Sequence, residues 1–236
     1  MQYFADDVFL VSYPRSGNTW MRYLLSNILE PCKAWHLRNI NEVVPDIYEV
    51  DISLFARPRI IKSHEPFTCL YPKVIYMYRD GRDVAASYYN LSKTAFGYKK
   101  SFEVFLLAML TGGKEAVFGS WQAHVSGWLD AAQSGSVFYI KYEDLCQNTV
   151  NVMEKLGCFM GNNFDRVMIL SAIDKSTFDV QKEHVKKYSE HYVKGFHGGI
   201  KGGPGKWREV FTEEMNELFW HHAGVLMTRL GYKKYD

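Results

Sequence analysis

Three groups of residues along this chain have the types and spacing to do chemistry. The first is Tyr13-Pro14-Arg15-Ser16-Gly17-Asn18-Thr19-Trp20, a turn between the apolar run Val8 to Val11 and a stretch where Trp20, Tyr23, Leu24 and Ile28 recur on one helix face. A strand-turn-helix of this kind offers backbone N–H groups and a helix N-terminus to an anion, with Arg15 beside them. It lacks the Gly-Lys-Ser/Thr ending that serves Mg²⁺ and a γ-phosphate, so a nucleotide without a transferable γ-phosphate fits it better. The second group is Lys62-Ser63-His64, at the end of a run with β-branched residues that Glu65-Pro66 stops. A histidine titrating near neutrality suits proton transfer, and a lysine beside it offsets negative charge. The third is Arg79 with Ser87 eight positions on, a guanidinium fork and a helical hydroxyl able to grip a phosphate together.

The elements that must position these groups alternate. Strands are expected at the run from Val8, at Arg59 to His64, at Val74 to Arg79 and at Val137 to Tyr142. Helical spacing is expected after the first turn, through Val84 to Leu91, through Phe102 to Met109 until Gly112-Gly113, a hinge, and from Trp121 to Ala132. It returns over 149 to 160 and 163 to 171, and along Met215, Leu218, Phe219, His222, Leu226 and Leu230. Such alternation predicts an α/β fold: a P-loop-like three-layer arrangement with a central parallel sheet flanked by helices. Residues 30 to 58, punctuated by Pro31, Pro45 and Pro58, read as loops and short helices facing substrate, and the Gly-, Lys- and His-rich 188 to 206 read as a mobile loop.

A chain of 236 residues, 47% hydrophobic and 16% aromatic, can bury one substantial core, so a single domain over 1–236 is expected. A formal net charge of +2 gives no broad basic field, which argues against nucleic acid as a partner. Cys32, Cys69, Cys146 and Cys158 show no metal-binding spacing and read as free, mostly buried thiols, in keeping with a reducing cytosol. The N-terminus has neither the basic start nor the long apolar stretch of a signal peptide or membrane span. The expectation is a soluble, cytoplasmic protein with no membrane partner.

Residues 13 to 20 resemble the Tyr-Pro-Lys-Ser-Gly-Thr-Thr-Trp loop of sulfotransferases that use 3′-phosphoadenosine 5′-phosphosulfate (PAPS), with Arg15 for the commoner Lys and Asn18 for a Thr. Lys62-Ser63-His64 is similar to the family's Lys-Thr-His, and Tyr78 to Tyr89 to its second nucleotide motif, in the family's order. The resemblance implies that His64 is the catalytic base, that Lys62 and Arg15 stabilise the transferring group, and that Arg15, Ser16, Gly17, Asn18, Thr19 and Trp20 bind the nucleotide. It implies that Arg79 and Ser87 read the 3′-phosphate and that Tyr142, in Tyr142-Glu143-Asp144, approaches the adenosine. In Ser176-Thr177-Phe178, similar to the family's Thr-Ser-Phe, Ser176 takes the first position and Phe178 faces Trp20 across the adenine. The Gly-rich segment Lys201-Gly202-Gly203-Pro204-Gly205-Lys206-Trp207 departs from the family: Ile200 stands where a phosphate-binding Arg is expected and Lys206 replaces an Asp. Lys201, Gly202 and the backbone N–H groups remain as donors there, and Lys194 or His197 are unassigned cations of the same loop.

The expected activity is therefore transfer of a sulfuryl group from PAPS to a hydroxyl or amine of a small-molecule acceptor, with adenosine 3′,5′-bisphosphate as product and no metal required. A small-molecule kinase and a non-catalytic nucleotide-binding protein of the same fold are the alternatives. Residues 30–58, 92–100 and 112–119 are expected to line the acceptor pocket, with Tyr48, Phe55, Phe67, Tyr88, Tyr89 and Phe96 as aromatic walls. Many cytosolic members pair through a segment matched here by Arg208, Thr212 and Glu217, but Glu213 replaces its central Val, and a monomer is expected.

Overall fold

A computed structural model describes residues 2–130, 136–188 and 203–235, with residues 184–188 described by backbone alone. Four strands, β1 (Val8–Ser12), β2 (Ile60–Ser63), β3 (Val74–Tyr78) and β4 (Val137–Lys141), form one sheet in the order β2-β1-β3-β4. All three pairings are parallel, with Val11 opposite Ser63, Ser12 opposite Met77, and Tyr78 opposite Lys141. The central strands are apolar on both faces because both are covered. Phe9, Val11 and Tyr76 point into one core and Leu10, Ile75 and Met77 into the other, the two-residue alternation of a strand dividing them.

The first core is closed by α2 (Gly81–Phe96), α3 (Phe102–Thr111), α4 (Trp121–Asp130) and the last helix, α9 (Glu213–Arg229). The second is closed by α1 (Asn18–Leu29), α6 (Thr149–Met160) and α7 (Arg166–Lys175), while α5 (Tyr142–Gln147) leads out of β4 and α8 (Phe178–Tyr188) follows α7. The three-layer parallel arrangement is thus present. The chain leaves β1 toward one face and β3 toward the other, and these strands are neighbours. The connections that leave their C-terminal ends therefore diverge above the paired strands, the position at which open α/β sheets bind ligands in a crevice.

Boundaries differ from the sequence reading where local chemistry intervenes. Arg79 lies beyond β3, because Asp80 turns the chain by accepting the Arg82 N–H at 2.9 Å as the cap of α2. Tyr142 opens α5 instead of ending β4, and α5 at six residues is too short for periodicity to reveal. Helix α8, unexpected from the sequence, has few apolar residues to mark a face. Residues 30–58 hold two short 3₁₀ turns, Ile40–Glu42 and Ile52–Leu54. The cysteines correct the expectation of burial: all four are free, but Cys32, Cys69 and Cys158 are exposed and Cys146 is half-buried, on turns and outer helix faces that the core does not reach. No helix among the described residues is long and apolar enough to cross a membrane.

Candidate active site

The turn after β1 sits at the mouth of the crevice. Tyr13 is buried and its hydroxyl donates to the Gly119 carbonyl at 3.1 Å, fixing the turn against the segment before α4. Arg15 takes the left-handed conformation, φ 73°, which costs a non-glycine residue on the order of 1–3 kcal/mol and occurs where surroundings over-determine the backbone. Gly17 has φ 100° and a Cβ there would lie 2.5 Å from Cδ2 of Tyr142, so both its backbone angle and the ring above it demand glycine. No side chain caps α1 at Gly17, which leaves the first-turn N–H groups of the helix for an anion. The Ser16 hydroxyl is buried and has no hydrogen-bond partner among the described residues. The Asn18 amide instead donates to the Leu10 carbonyl at 3.3 Å and to the Ser12 hydroxyl at 3.2 Å, fastening helix to strand. Thr19 and Trp20 are half-buried in the first turn, and Trp20 meets Tyr142 edge to face at 6.1 Å.

Across the crevice, Arg79 is held by four partners. It donates to the Gly203 carbonyl at 2.7 Å and the Arg15 carbonyl at 3.4 Å, lies 3.3 Å from Asp83, and rests 4.5 Å from the Tyr142 ring centre. Its Nε is buried without a partner among the described residues. Two buried, unpartnered polar atoms of donor type, Ser16 Oγ and Arg79 Nε, together with free helix N–H groups, fit a ligand that carries phosphate oxygens. Ser87 accepts from Arg15 Nε at 3.0 Å, so these two residues meet directly. Burial and then the neighbouring Arg79 push the Arg15 pKa down.

Asp83, which the sequence reading passed over, accepts the N–H groups of Gly205 and Trp207, each at 2.8 Å, and pins the end of the Gly-rich segment beside Arg79. The available signal was an acid four residues after Arg79, in the first turn of the helix that follows it. Ser176 accepts from Asn27 at 3.2 Å and ties the end of α7 to α1, while Phe178 is 40% exposed at the head of α8. Lys201 and Gly202, with Ile200, Lys194 and His197, lie outside the described residues.

His64 stands one residue past β2. Its Nδ1 is 2.7 Å from the Ser12 carbonyl oxygen, which can only accept, so Nδ1 carries the hydrogen and Nε2 keeps its lone pair. Burial and then the Lys62 cation hold its pKa well below the ordinary imidazole value, which keeps the ring neutral at pH 7. Lys62 donates to Asp46 at 2.7 Å in a largely buried pair; burial lowers the lysine pKa and Asp46 opposes that shift. Asp46 was hidden in the irregular segment, where no periodicity distinguishes one acid from another. Ser12 joins the two sides, its carbonyl holding His64 and its hydroxyl accepting from Asn18 of the turn.

Aromatic rings surround His64. Tyr48 stacks on the imidazole at 6.4 Å and 12°, and Phe118 tilts against both rings at 5.5 and 5.6 Å. The Tyr48 hydroxyl accepts the His64 backbone N–H at 3.1 Å and donates to Glu65 at 3.0 Å. Of the other expected walls, Tyr88 meets Tyr13 at 6.3 Å, but Tyr89 packs on Phe102 and Phe105, Phe67 lies edge-on to Trp128, and Phe96 is 76% exposed. Phe118 was missed because it sits in a loop after Gly112-Gly113 with no pattern around it. Among the described residues no group of three or more His, Cys, Asp or Glu side chains is placed to hold a metal ion.

This geometry combines an anion cradle with a neutral imidazole one residue away from it, and comparison with known proteins gives it a family. Rat sulfotransferase 1A1 is 30% identical to the chain over 257 residues, covering 97% of this chain and 87% of the relative, and human sulfotransferase 2B1 is 32% identical over 238 residues, covering 91% and 64%. Among solved structures, mouse sulfotransferase SULT7A1 complexed with PAP superposes with a TM-score of 0.76 at 23% identity, covering 98% of this chain and 90% of that one. A retinol dehydratase in complex with androsterone and PAP gives a TM-score of 0.74 at 18% identity, covering 96% and 82%. Residues 5–231 match the sulfotransferase domain, and the chain belongs to that family of enzymes.

Proposed function

We propose that the protein transfers a sulfuryl group from PAPS to a hydroxyl or amine of a small, partly apolar acceptor, with His64 as the base. The observation that carries the reading is the His64 ring, neutral and locked by Nδ1 on the Ser12 carbonyl, with its Nε2 lone pair available beside the anion cradle. PAPS, when bound, supplies an activated sulfuryl group and leaves as adenosine 3′,5′-bisphosphate. His64 Nε2 takes the proton from the acceptor O–H or N–H as the acceptor atom bonds to sulfur. Arg15 and the α1 N-terminus meet negative charge on the 5′ side, where the sulfur–oxygen bond breaks, and Lys62, held by Asp46, faces the same charge from β2. Arg79, Ser87 and the segment starting at Gly203 read the 3′-phosphate, with Asp83 keeping Arg79 and that segment together.

Tyr48 and Phe118, stacked around His64, favour an acceptor with a flat or apolar body presented to the imidazole. The test is a screen of phenols, alcohols and amines with radiolabelled PAPS. Label should pass to at least one acceptor class in the wild type and not in His64→Ala, whereas equal transfer by that variant overturns the assigned base.

A further inference from the structure

His124 has no place in the chemistry described so far, yet its ring nitrogens are both committed. It lies in α4, 2% exposed, stacked on Tyr76 at 5.9 Å and edge-on to Tyr13 at 5.3 Å. Its Nδ1 is 3.0 Å from the Tyr76 hydroxyl and its Nε2 is 3.0 Å from the backbone carbonyl oxygen of His64. A carbonyl only accepts, so Nε2 carries the hydrogen; Nδ1 then accepts from the Tyr76 O–H, and a single neutral tautomer satisfies every group. Burial lowers the His124 pKa to about 4, which keeps that tautomer at neutral pH.

An apolar side chain of similar size would fill the space between Tyr13 and Tyr76. What the imidazole adds is a bridge from the middle of the sheet to the peptide of His64. That peptide needs one. The β1–β2 ladder ends at Val11 opposite Ser63, and His64 lies one residue beyond it. Its N–H goes to the Tyr48 hydroxyl and its carbonyl to His124, so two side chains from other elements set its orientation. The ring hangs from this peptide and must reach the Ser12 carbonyl with Nδ1.

We propose that His124 is a positioning residue for sulfuryl transfer: by donating Nε2–H to the His64 carbonyl, it holds the His64 peptide so that the ring stays on Ser12 and Nε2 faces the acceptor. This rests on the reading of His64 as the base. Loss of the bridge leaves a part-buried carbonyl unpaired and frees the ring, and displacements of about 1 Å in catalytic groups cost on the order of a hundredfold in rate.

The experiment pairs His124→Gln, whose amide nitrogen can replace Nε2 as donor, with His124→Asn, which is too short to reach the His64 carbonyl. Nitrogen NMR of the labelled imidazoles reports the His64 tautomer, and transfer kinetics report kcat and the KM for PAPS. In the wild type and in His124→Gln, His64 should carry its hydrogen on Nδ1, with similar kcat. His124→Asn should show a mixed His64 tautomer and a kcat lower by roughly ten- to a hundredfold, with the KM for PAPS unchanged. A folded His124→Asn protein with wild-type kcat and an unchanged His64 tautomer overturns the proposal. Should that variant not fold, His124→Gln decides, because a fall in kcat while its His64 tautomer is preserved overturns the proposal equally. Activity surviving in His64→Ala would instead remove the base reading and leave the tautomer result standing.

Discussion

The two sides of the crevice are built in opposite ways. The side proposed to hold the nucleotide comes from short contiguous runs, residues 13–20 and 79–87, bound to each other by charged hydrogen bonds such as Arg15 to Ser87. The side proposed to hold the acceptor is assembled from single residues of distant segments, Tyr48, His64, Phe118 and His124, joined mainly by ring contacts. A phosphate group asks for fixed donors at fixed spacing, which one turn and one helix start can supply. A pocket for an organic acceptor asks only for shape and apolar surface, which many combinations of loops can supply.

The largest effect that separates the sides is expected from His64→Ala. It should lower turnover by about 10²- to 10⁴-fold while leaving affinity for adenosine 3′,5′-bisphosphate unchanged by calorimetry, since the ring touches Ser12, Tyr48 and Phe118 and none of the cradle's donors. Parallel loss of nucleotide affinity would mean that the two sides are one cooperative unit. On the other side, Arg15→Ala should lower turnover by about 10²- to 10³-fold and affinity by less, because charge on the leaving oxygen develops only as the bond breaks. Arg15→Lys keeps the charge and should retain substantial activity, although the donor to Ser87 changes.

The same contrast decides what the sequence could reveal. The sheet and its parallel sense were legible, because strand runs and turn chemistry are local signals, whereas Arg15, Lys62, His64, Arg79 and Ser87 were picked out by residue type and by the resemblance of their segments to the family's motifs. Asp83 was legible in principle, four residues after Arg79 on a helix. Asp46, Phe118 and His124 were not: Asp46 and Phe118 lie in irregular segments, and His124 lies on a helix face whose neighbours Trp121, Val125 and Trp128 announce only a core. The engagement of Asn18 with Leu10 and Ser12 likewise depends on the geometry at the strand end and not on the loop's composition.

Acid should loosen the acceptor side. His124 has an ordinary value of 6.5 and a folded value of about 4, so between these the unfolded chain takes up a proton that the folded protein refuses. Its contribution to stability is complete above pH 6.5 and declines as pH falls toward 4, a loss of about 3 kcal/mol at the limit; His64 is shifted in the same direction. Urea unfolding from pH 7 to pH 4.5 should show a steeper fall for the wild type than for His124→Gln. Identical slopes would mean that His124 titrates normally.

A smaller effect concerns assembly. Thr212 caps α9 by accepting the Met215 N–H at 3.3 Å, Glu213 is exposed in its first turn, and Glu217 binds Lys234 and Tyr235 of the same chain. We propose a monomer. Light scattering at micromolar concentration should report a mass near 27.4 kDa, with Glu213→Val moving it upward if the segment is otherwise competent to pair. A wild-type dimer whose mass Glu213→Lys leaves unchanged would show that this segment does not govern assembly.

The central claim is that the cradle of Arg15, Ser16, Arg79 and Ser87 is made for a nucleotide phosphorylated at both the 5′ and 3′ positions. Thermal unfolding with adenosine 3′,5′-bisphosphate and with AMP tests it directly. At about a hundredfold excess over Kd the bisphosphate should stabilise the protein by about 2.7 kcal/mol, roughly 5–10 °C in Tm. AMP at the same concentration should give a much smaller shift, and Arg79→Ala should bring the two ligands together. Equal shifts for both ligands in the wild type would contradict the claim.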